Sequence, residues 1–231
     1  MVYCIDGYLV WWQACRMKTI AIIGQKGGTG KTTLTQILAV AAGEDGKAVI
    51  AVDLDPQVSL CKWSDLRGDD GPVVIDAQPA RLAKTLETAK GQGVDLCLID
   101  TAGRAEEASL AAVRVADLVL LPLQPTFADL STIEAAQNII GLAGGRPTLS
   151  VLMRVKPRGT RHTETAEFLE GQGIPVCPHV IGDRVTYQDA AGLGRTPQEF
   201  EPNGTAAKES AKVYWFIIDM VNRKTNKPLK G

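Results

Sequence analysis

The 231-residue chain has few aromatic residues and histidines, and it lacks both long apolar runs and paired cysteines. Only 5% of its residues are aromatic, and no stretch of about 18 apolar residues could cross a bilayer. The five cysteines are scattered, without a Cys-x-x-Cys pair, and there are two histidines. These absences argue against transmembrane, disulfide-rich and zinc-binding classes, and they favour a globular protein of the reducing cytoplasm.

The formal net charge of −1 hides an uneven distribution along the chain. Residues 1–145 carry 12 basic and 17 acidic side chains, whereas residues 146–231 carry 13 and 9. Between residues 146 and 161 there are five basic side chains and no acidic one. The carboxyl-terminal third therefore predicts a basic surface suited to a polyanion, although scattered lysines and arginines often form only a solvated face.

Short apolar runs alternate with helix-length segments from residue 18 onward. The runs are rich in Val, Ile and Leu and do not alternate with polar residues, which is typical of strands buried on both faces of a parallel sheet. Expected strands are 20–23, 48–52, 73–75, 96–99, 118–121, 149–155 and 176–181, and expected helices include 32–42, 80–89, 105–115 and 131–142. The pattern predicts a doubly wound α/β fold with a mostly parallel sheet flanked by helices, in one domain over residues 17–222.

The two ends of the chain differ from this pattern. Residues 1–16 contain two of the four Trp and two of the five Cys, and Asp6 replaces the positive segment that a secretory signal would have. We expect a dispensable extension here, with a partner-binding or membrane-touching peptide as the alternative. Residues 223–231 form a basic tail.

The loop between the first strand and the first helix of this domain has the composition of a phosphate-binding loop. Glycines at 27, 28 and 30 let backbone N–H groups surround phosphate oxygens at a helix N-terminus. Lys31 is placed to reach the β- and γ-phosphates, and the Thr32 hydroxyl to bind Mg²⁺. Predicted nucleotide contacts are Lys26, Gly27, Gly28, Thr29, Gly30, Lys31, Thr32 and Thr33.

The loop departs from the usual G-x-x-x-x-G-K-[ST] pattern, because Gln25 replaces a glycine and Lys26 adds a second lysine. In this respect it resembles the deviant Walker-A group of the ParA/MinD ATPases, whose pattern is K-G-G-x-G-K-[ST]. The resemblance extends over roughly residues 18–222. It implies that Lys26 reaches the nucleotide of a partner subunit, and that Lys26 and Lys31 act in catalysis.

Two further strand ends carry carboxylates. The segment Asp53-Leu54-Asp55-Pro56-Gln57 looks like the family's D-x-D-P-Q sequence, which implies that Asp55 orients the attacking water and Asp53 lies near the Mg²⁺ shell. Aspartates at strand ends can also be simple turn residues. Asp100 follows four apolar residues, as the metal-side acid of a Walker-B strand does. The predicted metal residues are Thr32, Asp53 and Asp100.

The expected cofactors are ATP and Mg²⁺. GTP is less favoured, because the sequence has no Asn/Thr-Lys-x-Asp motif for guanine, and Asn226-Lys227-Pro228-Leu229 lacks the Asp. Small-molecule kinases share such phosphate loops, but no acceptor site is evident. Relatives that carry iron–sulfur clusters would need cluster cysteines.

The short plasmid-partition ParA proteins are the best match within this family. The resemblance implies an ATP-dependent homodimer, with higher assemblies left open, that binds double-stranded DNA without sequence preference and answers to a centromere-binding adaptor. Slow ATP hydrolysis would reset it, and its place would be the nucleoid in the cytoplasm. Arg154, Lys156, Arg158 and Arg184 are the predicted DNA contacts.

A MinD-like or other positioning ATPase, acting on a protein complex or a membrane, is the alternative. A membrane anchor would need bulky apolar residues on an appended helix, and beyond Asn222 only Leu229 qualifies. The apolar positions 213, 216, 217, 220 and 221 are instead expected to pack the last helix on the sheet. Stable membrane insertion is therefore not expected.

Overall fold

The computed structural model describes residues 2–5, 8–11, 17–68 and 71–223. Its centre is a six-stranded sheet in which all neighbouring strands are parallel, in the order β5-β4-β6-β3-β7-β8. Near the amino terminus, a separate antiparallel pair comprises β1 and β2. The strands are β1 Val2–Ile5, β2 Tyr8–Trp11, β3 Lys18–Ile22, β4 Val49–Asp53, β5 Val73–Asp76, β6 Leu96–Asp100, β7 Leu118–Leu123 and β8 Thr148–Leu152. The predicted doubly wound, parallel α/β fold is confirmed.

Helices cover both faces of the six-stranded sheet, and each face has its own apolar core. One core includes residues of α1, α2, α8 and α10, and the other includes residues of α3, α4, α6 and α7. A 3₁₀ turn at Pro79–Arg81 precedes α3. The helices are α1 Lys31–Glu44, α2 Ser59–Arg67, α3 Leu82–Gly91, α4 Glu106–Val115, α5 Phe127–Leu130, α6 Ile133–Leu142, α7 Arg161–Gly171, α8 Thr186–Ala191, α9 Pro197–Phe200 and α10 Thr205–Arg223.

The last described helix packs on the sheet, as its apolar spacing predicts. Val213, Ile217 and Val221 of α10 are buried in the core that also holds α1. The Tyr214 hydroxyl donates a hydrogen bond of 2.7 Å to Asp45 Oδ2, just beyond the end of α1. The helix that begins at the phosphate loop is therefore fastened to the carboxyl-terminal helix. Within the described ranges, no helix has the length and apolar character needed to cross a membrane.

One expected strand does not form. The prediction of a strand at 176–181 is wrong, because only isolated bridges, Ser150 to Val176 and Val155 to Gly182, connect this part of the chain with the end of the sheet. Pro175 and Pro178 have no N–H group to donate to a ladder, which explains the interruption. The segment still runs beside β8, since Cys177 N donates to the Ser150 carbonyl at 2.8 Å.

The predictions for the chain ends concern residues that are only partly described. Of residues 1–16, positions 1, 6, 7 and 12–16 lie outside the described residues, as does the tail from residue 224 onward. The division into an extension, one domain and a tail therefore stays a prediction.

Candidate nucleotide site

The phosphate-binding loop lies between the end of β3 and the start of α1. Gly28 and Gly30 have φ angles of 78° and 99°, a left-handed conformation that side chains other than glycine rarely adopt. A Cβ atom at Gly30 would lie 2.9 Å from Met153 Cε, so the loop also passes close to the chain that follows β8. These two requirements explain the glycines, and they leave backbone N–H groups at the start of a 14-residue helix.

Lys31 is buried at the first position of α1, with 6% of its surface exposed. Its Nζ donates to the Lys26 carbonyl oxygen at 2.9 Å, which folds the side chain along the loop. Burial lowers the pKa of Lys31, while the carboxylates of Asp100, Asp55 and Asp129 act in the opposite direction. A buried ammonium among carboxylates, at the mouth of an anion-binding loop, is positioned to neutralise phosphate charge.

Thr32 and Asp100, which are predicted to bind the metal, lie next to each other at the start of α1. Thr32 Oγ1 donates to Asp100 Oδ2 at 2.7 Å, while Asp100 Oδ1 is buried and has no hydrogen-bond partner among the described residues. Burial raises the pKa of Asp100 to about 7, and the nearby carboxylates of Asp53 and Asp55 add to this effect. A buried oxygen without a partner beside a hydroxyl is the kind of hard donor set that suits Mg²⁺ with part of its water shell.

The two aspartates at the end of β4 have different surroundings. Asp53 Oδ1 accepts the Asp55 N–H at 2.9 Å, and its Oδ2 accepts the N–H groups of Leu60 and Cys61. Asp53 thus holds the loop and the start of α2, which leaves it less free to approach a metal than Asp100. Asp55 lines the cleft, and its Oδ1 accepts the Gln57 N–H at 2.9 Å.

Lys26 does not point into its own phosphate loop. Its Nζ lies 2.7 Å from Oδ1 of Asp129, whose side chain is completely buried, while 40% of the Lys26 side chain is exposed. Asp129 Oδ2 also accepts the backbone N–H of Gln124 at 2.8 Å. The Gln124 side chain in turn donates to the Gly28 carbonyl at 2.7 Å. The loop after β7 and the short helix α5 that follows it therefore contact the phosphate loop at one point each.

The far wall of the cleft comes from the chain beyond β8. The cavity has a volume of about 320 Å³, which is at the lower end of the usual range for ligand sites. Arg154 and Arg184, predicted as DNA contacts, line this wall and are paired. Arg154 Nε lies 3.3 Å from Asp183 Oδ1, and Arg184 makes two hydrogen bonds to Glu209. The wall comprises Met153, Arg154, Ile181, Asp183, Arg184 and Tyr187.

The structure brings together most of the predicted site. Gly27, Gly28, Gly30, Lys31, Thr32, Thr33 and Asp55 line one cavity, and Asp100 lies directly behind Thr32. Lys156 and Arg158 instead line a second pocket. Asp129 was not identified from the sequence, where its only signal is that no other charged residue occurs between Asp117 and Glu134.

The amino-acid sequence is also similar to those of known nucleotide-binding proteins. A family model described as the CobQ/CobB/MinD/ParA nucleotide binding domain matches residues 20–197. The chain belongs to this family. Among ParA/MinD-type relatives, the maintenance of carboxysome distribution protein A of Gloeobacter kilaueensis is 29% identical over 213 residues, covering 91% of this chain and 96% of the relative. The chromosome-partitioning ATPase Soj of Thermus thermophilus is 26% identical over 231 residues, covering 83% and 92%.

Solved structures of the ParA/MinD type share the fold. The septum site-determining protein MinD of Pyrococcus horikoshii, solved with Mg-ADP, superposes with a TM-score of 0.74 at 23% identity, covering 91% of this chain and all of that one.

The residues of the cleft fit the cofactors of this family. The chain is an ATPase, and its cofactors are ATP and Mg²⁺. The described residues contain no group of three His, Cys, Asp or Glu side chains that could hold a metal alone. Magnesium in nucleotide sites takes part of its shell from phosphates and water, so Thr32 and Asp100 suffice on the protein side.

Proposed function

We propose that this protein is a ParA-like partition ATPase that forms a homodimer with ATP, binds double-stranded DNA without sequence preference, and is reset by slow hydrolysis. The observation that carries the proposal is that an exposed basic stretch, 156–161, lies at the same edge of the sheet as the nucleotide cleft. The near full-length match to the partitioning ATPase Soj supports it. A nucleoid-associated place in the cytoplasm and a centromere-binding adaptor belong to the same proposal.

Different residues of the cleft have different roles in ATP binding and hydrolysis. The glycine-rich loop and Lys31 bind the phosphates, and bound Mg²⁺ supplies charge neutralisation between them. Asp55, held by Asp53 on one side and by Gln57 on the other, orients the attacking water. Lys26 leaves Asp129 and reaches the nucleotide of the partner subunit, so that the site is complete only in the dimer. An incomplete site in the monomer explains why turnover would be slow.

Binding to a non-specific DNA duplex tests the proposal directly. Affinity is measured without nucleotide, with ADP and with ATP–Mg²⁺, each across a salt series. Binding that requires ATP and weakens steeply with salt is the expected result, because contacts to phosphates release counter-ions. Lys31→Ala removes the phosphate contact and should abolish the ATP-dependent binding. A wild-type protein that binds ATP and dimerises, yet ignores DNA in every state, would refute the DNA-partition function.

A positioning ATPase is the second candidate, and the carboxysome-distribution relative favours it. In that case ATP binding and dimerisation remain, while a protein complex or a membrane surface replaces DNA as the cargo. Liposome sedimentation and hydrolysis assays with and without DNA distinguish the two candidates, because only the partition function predicts stimulation by a duplex.

A further inference from the structure

A second pocket, distinct from the nucleotide cleft, lies where the chain leaves β8. Its volume is about 400 Å³. Val155 anchors its floor, since its N–H donates to the Ile181 carbonyl at 3.0 Å and its carbonyl accepts the Asp183 N–H at 2.9 Å. The left-handed Gly159, with φ of 106°, then turns the chain into α7. The basic pocket is lined by Pro125, Thr126, Lys156, Arg158, Arg161 and His162.

The basic side chains of this pocket differ from the arginines of the nucleotide cleft in their lack of acidic partners among the described residues. Lys156, Arg158 and Arg161 are exposed, and within the described ranges none of them forms an ion pair. Arg184, by contrast, makes two hydrogen bonds to Glu209, and the half-exposed Arg154 lies 3.3 Å from Asp183. None of the described residues that line the pocket is acidic, and the amino-terminal end of α7 adds a partial positive charge.

One wall of the basic pocket belongs to the loop that contacts the phosphate loop. Pro125 and Thr126 lie between Gln124, which donates to Gly28, and Asp129, which holds Lys26. Thr126 Oγ1 is 3.3 Å from Asp129 Oδ1, and the Asp129 N–H donates to the Thr126 carbonyl at 3.1 Å. A shift of Lys26 away from Asp129 therefore acts on the same short loop that shapes the pocket. Such a contiguous network is a physical route for coupling.

We infer that the basic pocket is the site where this protein holds DNA phosphates, and that the segment 124–129, which leads into α5, couples its occupancy to the nucleotide. The inference rests on the proposed function and assigns the DNA contact to Lys156, Arg158 and Arg161, with Arg154 and Arg184 left to the nucleotide cleft. Within the part of the chain that the structure describes, the pocket lining has no exposed large apolar side chain, so recognition depends on charge. A site that recognises its ligand by charge alone fits the repeating phosphate backbone of DNA. An acidic peptide would also need contacts that recognise its side chains.

The location is tested with the triple variant K156Q/R158Q/R161Q. Its matched control is R81Q/K84Q/K90Q, which removes three exposed positive charges from the segment before and within α3. With ATP–Mg²⁺, the triple variant should bind duplex DNA at least about tenfold more weakly, and its salt slope should fall by roughly two to three. The control should bind like the wild type. Pairwise variants, K156Q/R158Q and R158Q/R161Q, serve if the triple variant does not fold.

The outcomes separate the inference from the function on which it rests. A wild-type protein that does not bind DNA overturns the proposed function. A wild-type protein that binds DNA, with the triple variant equal to the control, overturns the location only. Wild-type binding to polyglutamate but not to DNA assigns the pocket to an acidic protein and overturns the inference.

The coupling is tested with Thr126→Val, which keeps every charge but removes the hydroxyl near Asp129. The ratio of the DNA affinity with ATP to the DNA affinity with ADP should be at least about threefold smaller than in the wild type. Thr126→Ser should restore the wild-type ratio. Thr163→Val, on the exposed side of α7, is the matched control and should keep the ratio. Since coupling is reciprocal, DNA should also raise the affinity for ATP by the factor by which ATP raises the affinity for DNA. An unchanged ratio in Thr126→Val overturns the coupling.

Discussion

Asp100 carries an energetic cost when the cleft holds no cation. Its side chain is fully buried, one of its oxygens finds no hydrogen-bond partner in the described parts of the chain, and burial raises its pKa to about 7. In the unfolded chain an aspartate ionises near pH 4, so between about pH 4 and 7 the folded state holds a proton that the unfolded state has lost. Stability contributed by this group is therefore present at low pH and is lost as the pH rises towards 7.

We expect Asp100→Asn to stabilise the protein in the absence of nucleotide and metal. The amide keeps an acceptor for Thr32 and avoids the buried charge, so the gain at pH 8 should be on the order of 1 kcal/mol, or roughly 2–4 °C in Tm. Thermal melts in EDTA between pH 4.5 and 8 measure it, and the difference between variant and wild type should grow with pH. The same variant should lose Mg²⁺-dependent hydrolysis. A difference that does not change with pH would contradict this account of Asp100.

At the scale of elements, the short loop after β7 connects more of the molecule than its length suggests. Asp129, in the helix that follows it, accepts a hydrogen bond from Lys26, and Gln124 donates one to the Gly28 carbonyl. Under the proposed function, the Lys26–Asp129 ion pair must break before Lys26 can reach a partner subunit. The proposal therefore predicts that this contact opposes dimerisation.

Asp129→Asn should favour the ATP dimer. The amide oxygen still accepts the Gln124 N–H, but the ion pair with the partly exposed Lys26 is lost, a change of about 0.5–1 kcal/mol after allowance for solvent screening. Because each of the two protomers loses this pair, sedimentation velocity with ATP–Mg²⁺ should give a dimer dissociation constant about five- to thirtyfold lower. Glu134→Gln, in the first turn of α6, is the charge-matched control. A weaker dimer in Asp129→Asn would mean that Asp129 supports the assembled state instead.

The sequence was sufficient for elements whose signal is local. Six of the seven expected strands form, because runs of Val, Ile and Leu of this length fit a sheet buried on both faces. The glycine-rich loop could be identified because its chemistry lies in ten consecutive residues. The Lys26–Asp129 pair joins residues 103 positions apart, and the pairing of Arg184 with Glu209 depends on how α10 packs. Contacts of this kind depend on tertiary packing and cannot be predicted from a short sequence pattern.

At the scale of the whole molecule, the sheet begins immediately after the predicted extension. Met17 is buried, and the Lys18 N–H donates to the Asp95 carbonyl at 2.8 Å, so β3 is anchored from its first residue. The far end of the domain is fastened by α10 to the core around α1. The unit that folds is thus expected to span residues 17–222.

A protein that starts at Met17 should fold and hydrolyse ATP like the full chain, with a Tm within about 2 °C. Removal of α10, from Thr205 onward, is the contrasting deletion and should prevent folding, because it uncovers the core around α1. Calorimetry and steady-state ATP turnover compare the three proteins. A loss of more than about 5 °C in the protein that starts at Met17 would give the first sixteen residues a structural role.

The parallel sheet separates the nucleotide cleft from a second set of loops at the opposite rim. Since all six strands run the same way, the nucleotide cleft and the basic pocket gather at their carboxyl ends, and the loops at 45–48, 92–95 and 143–147 lie at the opposite rim. A fluorophore or a surface tether placed on these loops would leave both sites open to solvent. The protein can therefore be immobilised through these loops in assays that test its response to nucleotide and to duplex DNA at the opposite rim.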